Sequence, residues 1–268
     1  MQKNTLSYCG QLVRDVEPDH FLISMFMHSE VREALWAVFA FNYEISKTRE
    51  VVSESTLGLI RLQWWRDAIK GIYNGDTVPA HEVLKPLSEV IHKYDLPIGD
   101  FEKLIYAREF DLEDVLPGDM DGLINYADFT TSPLLALVLR ICDESEDEGV
   151  IRAVAVNYTL IGILRRTSLY ARQCRCYFPA DVMELHKLTA DDIFNYTKPD
   201  DIKSVVRHVH DNALDRMKVR SRVLKSFQAL SDIYMKQIHS VDFDISVPLL
   251  EREPAFKVLR IFWKIKIL

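Results

Sequence analysis

Three observations predict an all-α fold. Apolar residues recur at intervals of three and four along most of the 268 positions, while strand-like alternation is nearly absent. Pro18, Pro79, Pro97, Pro117, Pro179, Pro199 and Pro254 fall at junctions, where proline opens or closes a helix rather than interrupting it. No Gly- or Ser-rich linker, internal repeat or low-complexity run divides the chain. One domain spanning residues 1–268, with roughly ten or more helices, is therefore expected.

The elements follow in chain order. Leu57, Ile60, Trp64, Ala68 and Ile72 form a stripe at helical spacing. Pro133 lies inside a helical pattern, and Thr130-Thr-Ser132 before it suggests a kink or a new helix start. The apolar runs Pro133 to Leu139 and Ala153 to Leu164 fall short of the ~18 residues a membrane span needs. Asp191 and Asp192 after Thr189 read as N-cap chemistry. Val205, Val209, Ala213, Met217, Leu224 and Phe227 sit at mostly helical offsets. Pro254 suits the first turn of a closing helix.

Composition bounds the function. With 48% hydrophobic residues the chain can bury one large core or two modest ones. A net charge of −7 gives no global attraction to nucleic acid or anionic lipid. Cys9, Cys142, Cys174 and Cys176 lack zinc-finger spacing and read as reduced thiols. Met1 to Gly10 has neither the basic head and apolar run of a secretory signal nor the Arg-rich character of a mitochondrial leader. A cytoplasmic location is expected, either soluble or peripheral at the inner membrane.

Three segments carry a family resemblance. Ala34-Leu-Trp-Ala-Val-Phe-Ala-Phe-Asn-Tyr-Glu-Ile-Ser-Lys-Thr-Arg-Glu50 and Leu57-Gly-Leu-Ile-Arg-Leu-Gln-Trp-Trp-Arg-Asp-Ala-Ile69 resemble the first two signature helices of the squalene/phytoene synthase family. Leu160 to Pro179 is similar to that family's other signature through Leu160, Ile163, Leu164, Arg165, Arg175, Tyr177 and Pro179. The resemblance implies an isoprenoid (terpenoid) synthase-like helical bundle around a central cavity. In active members the two signatures carry Asp-rich motifs that hold Mg²⁺ and a prenyl diphosphate. Here Ser46, Lys47 and Glu50 stand at the first motif, and Arg166, Leu169 and Tyr170 at the acidic positions of the second. Arginine cannot coordinate Mg²⁺, a hard cation that takes oxygen ligands. Asn42 to Glu54, Arg61-Leu-Gln-Trp-Trp-Arg66 and Val241-Asp-Phe-Asp-Ile245 resemble a divergent branch that includes a mitochondrial assembly factor of respiratory complex I and its bacterial relatives.

The candidate site is then a set of arginines with two aromatic neighbours: Arg32, Arg61, Trp64, Arg66, Arg165, Arg166, Arg172, Arg175 and Tyr177. Guanidinium groups hold phosphate oxygens through forked, charge-assisted hydrogen bonds. One reading is an arginine clamp for an anionic lipid or prenyl diphosphate. The other pairs these arginines with Glu44, Glu50, Glu54, Asp67 and neighbours to tie helices together. Glu50 and Glu54, four apart, read either as a shifted metal site or as a solvated pair. His208 and His210 point to different sides of a helix and are poor co-ligands.

Three functions compete. A non-catalytic protein of this fold would assist respiratory-complex assembly, with respiratory subunits as partners and no metal or cofactor. A binding module would retain an isoprenoid or lipid. A prenyltransferase would need Mg²⁺, since ionising an allylic diphosphate requires stabilisation of the leaving group. Beyond Glu253 the chain carries Lys257, Arg260, Lys264 and Lys266 with no acid, beside Phe256, Leu259, Phe262, Trp263 and Ile267. Such a helix either lies in a membrane interface or closes the core.

Overall fold

The apolar run from Ala34 to Phe41 becomes the centre of the first of two compact units in the computed structural model, which describes residues 6–113 and 115–267. This unit takes residues 6–113, 133–146 and 221–223. It contains α1 (Tyr8–Val16), α2 (Pro18–Met25), α3 (Arg32–Ser46), α4 (Thr48–Val51), α5 (Ser55–Asn74), α6 (Leu84–Tyr94) and α7 (Ile98–Phe110). Every residue from Ala34 to Phe41 is buried, so α3 is apolar all round and must be enclosed. α1, α2, α6 and α7 surround it. Phe41 meets Trp65 and Phe101 edge-on at 5.5 and 5.3 Å. α1 comes close because Gly10 lacks a side chain: a Cβ there would stand 2.7 Å from Trp36 Cε3.

α5 forms as expected, but the buried face is rotated from the predicted stripe. Leu57, Ile60 and Trp64 are exposed, and Leu62, Trp65, Ile69 and Ile72 are buried with Ala68. Both sets satisfy helical spacing. Packing of α5 on α4 and α7 selects the second. Gly58 permits that approach, since a Cβ there would overlap Leu112.

The second unit takes residues 115–132, 147–220 and 224–267. α8 (Met120–Ile141) starts in it and belongs to the first unit from Pro133 onward. The helix runs continuously through Pro133, so no new helix starts at Thr130–Ser132. Counted from Met120, α8 reaches the length and hydropathy of a membrane span, which its apolar runs alone did not; 56% of that stretch is buried against the protein. The unit continues with α9 (Glu148–Arg172), α10 (Ala180–Leu185), α11 (Ala190–Asn195), α12 (Pro199–Asp211), α13 (Arg222–Ser240) from Leu224 onward, and α14 (Lys257–Ile267). α9 packs against α11, α12 and a 3-10 turn at Pro248–Glu251, and α10 packs on α12. No strand occurs among the described residues, in agreement with the all-α expectation.

The long stripe from Val205 to Phe227 is two helices rather than one. Asn157 donates to the Leu214 carbonyl and accepts from its amide, both at 2.9 Å, and so holds the chain outside a helix there. Ala213 and Met217 fall in this irregular segment. Thr189 and Asp192 form the expected cap: each side chain accepts the other's backbone N–H. α14 begins at Lys257, three residues after Pro254, whose carbonyl accepts from the Lys257 amide at 3.2 Å.

Candidate functional site

In the first unit the signature residues gather where α3 ends and α5 begins. Ser46 closes α3, and its hydroxyl donates to the Tyr43 carbonyl at 3.0 Å. Glu50 is exposed on the short α4, and Val52 is extended, so Glu54 precedes a different helix. The two carboxylates therefore do not share a helix face, contrary to their four-residue spacing.

Glu44 is the buried charge of this region. Its carboxylate accepts from Arg61 Nη2 at 2.8 Å and from Lys47 Nζ at 2.6 Å. Lys47 also lies 5.0 Å from the Tyr43 ring centroid. Two cations thus neutralise one carboxylate, that of Glu44, which is only 4% exposed. His81 stands beside them, its Nδ1 accepting from the Val83 amide at 3.1 Å and its ring meeting Trp65 at 5.0 Å. Burial lowers its basicity, with Arg61 and Lys47 adding to that effect and Glu44 opposing it. Arg61 Nε, Thr48 Oγ1 and Trp65 Nε1 are buried with no hydrogen-bond partner among the described residues.

The other first-unit candidates make protein contacts. Arg32 donates to the Met25 and Met27 carbonyls at 3.1 Å, tying down the end of α2. Arg66 bridges to Glu109 at 2.7 Å and to Gln63 at 2.8 Å, while Asp67 accepts from Gln63. Trp64 is 41% exposed and touches Trp65 and His81 edge-on or tilted.

In the second unit Arg165 donates from Nε to the Leu250 carbonyl at 3.0 Å and lies 4.0 Å above the Tyr234 ring. Arg172 and Ser168 donate to Glu251 at 2.8 and 3.2 Å, which holds that carboxyl below the usual range. Tyr177 packs against Tyr126 and Tyr170 with centroids 5.6 and 4.9 Å apart. Arg166 is exposed on α9. Arg175 is half-buried in the turn after α9, its amide donating to the Tyr170 carbonyl at 2.9 Å.

At the positions that the sequence resemblance aligns with the metal motifs the side chains are a hydroxyl, a carboxylate, a guanidinium and a phenol: Ser46, Glu50, Arg166 and Tyr170. Among the described residues no group of three or more His, Cys, Asp or Glu side chains is arranged to hold a metal ion. The ties from Arg66 to Glu109 and from Arg172 to Glu251 escaped sequence reasoning because each joins positions far apart in the chain. Glu44 had a legible signal, as the one acid between Phe41 and Ser46 in an apolar helix.

Comparison with known proteins places this architecture. The squalene/phytoene synthase family matches residues 13–234. The bovine protein named NADH dehydrogenase (ubiquinone) complex I, assembly factor 6 is 29% identical, over 95% of this chain and 80% of its own length. The human protein of that name is 26% identical with the same coverage. Phytoene synthase 1, chloroplastic, of Zea mays is 25% identical over 82% of this chain and 53% of its own. Among solved structures, squalene synthase HpnC from Alicyclobacillus acidocaldarius superposes with a TM-score of 0.71 at 17% identity, covering 88% of this chain and 93% of that one. A dehydrosqualene synthase in complex with ligand gives 0.74 at 12% identity, covering 97% and 94%. Both are all-α isoprenoid synthase folds, and this chain shares that fold.

Proposed function

The chain belongs to the squalene/phytoene synthase family, and from that premise we propose that it is a non-catalytic member assisting the assembly of respiratory complex I. The observation that carries this reading is the donor set at the two signatures. Of Ser46, Glu50, Arg166 and Tyr170 only Glu50 offers a carboxylate, and Ser46 Oγ already donates to a carbonyl. These residues do not fit a magnesium–diphosphate cluster, which needs several oxygen ligands. Relatives matched over 95% of this chain bear the name of a complex I assembly factor, which supports the partner side of the reading.

The protein would work as a peripheral partner of a membrane complex, with α14 as its contact. Phe256 and Trp263 are 78% and 54% exposed, and Val258, Leu259 and Phe262 are exposed beside them. Lys266 lies 4.7 Å from the Phe262 ring centroid on that side. Ile261 faces inward and is fully buried, while Lys257 pairs with Glu253 and Lys264 with Asp232. An aromatic face with a cation above it suits a lipid headgroup boundary.

A second reading, retention of an isoprenoid or anionic lipid, is favoured by the orphaned Arg61 Nε, Thr48 Oγ1 and Trp65 Nε1. Phosphate oxygens held by the signature arginines would have to displace the carboxylates of Glu44, Glu109 and Glu251 from Arg61, Arg66 and Arg172. Prenyl transfer is the enzymatic alternative, and a maize relative bears the name phytoene synthase.

The test is a gene deletion in the organism of origin, read by native gels for assembled complex I, beside an assay of purified protein with farnesyl and geranylgeranyl diphosphate plus Mg²⁺. The reading expects loss of the assembled complex and no release of diphosphate. Mg²⁺-dependent release with a normal level of complex I overturns it.

A further inference from the structure

The second unit holds a pair of histidines outside the signatures. His210, near the end of α12, and His239, near the end of α13, bring their Nε2 atoms to 3.0 Å although they lie 29 residues apart in the chain. The sequence separation hides this pair, and His208, two residues before His210, was the only neighbour that spacing suggested. His210 Nδ1 is 2.8 Å from Asp211 Oδ1. A carboxylate on Nδ1 fixes the tautomer with the proton there and leaves Nε2 with its lone pair. His239 Nε2 faces that lone pair, and for both Nε2 atoms to bind one ion His239 takes the tautomer with its proton on Nδ1.

We infer that His210 and His239 form a two-histidine site for a divalent first-row transition cation that favours imidazole, with Asp211 orienting the first ligand. Two nitrogens 3.0 Å apart can both stand ~2.1 Å from one ion, the usual imidazole–zinc distance. The ring centroids are 4.7 Å apart, shorter than two imidazoles meeting head-on across that N···N distance would give, so the ring axes tilt off the N···N line. Phe243 packs on both imidazoles at 5.3 and 4.9 Å and restricts their rotation. Water completes the coordination, since no third His, Cys, Asp or Glu converges there among the described residues. Imidazole ligands suit zinc, copper and nickel, whereas Mg²⁺ prefers oxygen, so this site is chemically separate from the family's metal. A bound ion would clip α12 to α13 and close the irregular segment between them.

Zinc titration of the full-length protein by calorimetry tests this, together with Cu²⁺ electron paramagnetic resonance. The expected result is one zinc per chain, a rise in Tm on binding, and a copper spectrum with two coupled imidazole nitrogens. His210→Gln and His239→Gln each lower affinity about tenfold or more and abolish the Tm shift, and Asp211→Asn weakens binding about tenfold. His208→Gln leaves binding unchanged. Unaltered zinc binding in both histidine variants, no saturable binding to the unmodified protein, or a copper spectrum with fewer than two nitrogens overturns the inference. The copper measurement needs no variant, so a substitution that fails to fold does not blunt the test.

Discussion

Glu44 couples the signature arginine Arg61 to the end of α3, and its burial makes it costly to disturb. Glu44→Gln leaves Arg61 Nη2 and Lys47 Nζ without a carboxylate. Breaking a buried ion pair costs about 3 kcal/mol, against about 1 kcal/mol or less for Lys47→Gln, which keeps the Arg61 contact. Urea unfolding of the two variants measures the difference, and equal losses would show that Lys47, not Arg61, carries the site. The arginines themselves were legible as a group, because the resemblance marks their positions. Their partners were not, since Glu109 and Glu251 are distant in the chain. The cysteines separate by burial rather than by spacing. Burial pushes the thiols of Cys9 and Cys142 up to about 12 and that of Cys176 to about 11, while Cys174 is exposed at a φ of 54°. A raised thiol pKa keeps the sulfur protonated and unreactive at neutral pH. Maleimide at pH 7.5 on native protein is therefore expected to label Cys174 first, which mass spectrometry reads directly; comparable labelling of Cys176 would contradict its burial.

Helical periodicity gave the right kind of element and twice the wrong face or extent. On α5 two interleaved stripes share Ala68 and Ile72, and only contacts with α4 and α7 decide between them. Between α12 and α13 the side chain of Asn157, more than fifty residues upstream, interrupts a pattern that alone reads as continuous. The cap of α11 was legible because its partners are three residues apart. Bonds from Thr197, Thr189 and Lys198 hold the Asp192 carboxyl well below the usual carboxylate range. Its folded pKa is thus depressed, so its contribution is present above the ordinary Asp value and is lost as pH falls through the lowered one. Asp192→Asn should lower Tm at neutral pH and flatten the acid side of the Tm–pH profile. A parallel shift at every pH would assign the effect to hydrogen bonding alone. For α14 the exposed and buried faces predict opposite outcomes. Phe262→Glu with Trp263→Glu should abolish sedimentation with anionic vesicles while leaving Tm unchanged. Ile261→Ala should cost about 3 kcal/mol, the usual loss on truncating a buried Ile. If the double variant unfolds instead, the aromatic face is part of the core.

At the scale of the molecule, the family could be read from the two signature segments, but the grouping of helices into two units could not. Pro133 marks the point where α8 passes from one unit to the other, and the sequence showed it only as a proline within a helix. The first unit carries α3 and α5, which resemble the family's first two signature helices, and the second carries α9; under the proposed non-catalytic reading both signatures lack most of their acidic positions. That reading predicts a specific thermodynamic behaviour. A ligand with a native-state site raises Tm by mass action, by about 2.7 kcal/mol of stability at a hundredfold excess over its Kd. An intact magnesium–diphosphate clamp would therefore reveal itself without turnover. Millimolar Mg²⁺ with pyrophosphate is expected to leave Tm where Mg²⁺ alone leaves it. Pyrophosphate without metal gives a different answer under the two remaining readings: a rise that salt suppresses points to arginines holding phosphate oxygens directly, and no rise points to arginines committed to their carboxylates. A large rise that requires Mg²⁺ would restore the enzymatic alternative. Glu50→Gln and Glu54→Gln would then be the first variants to test, since these carboxylates border the first signature.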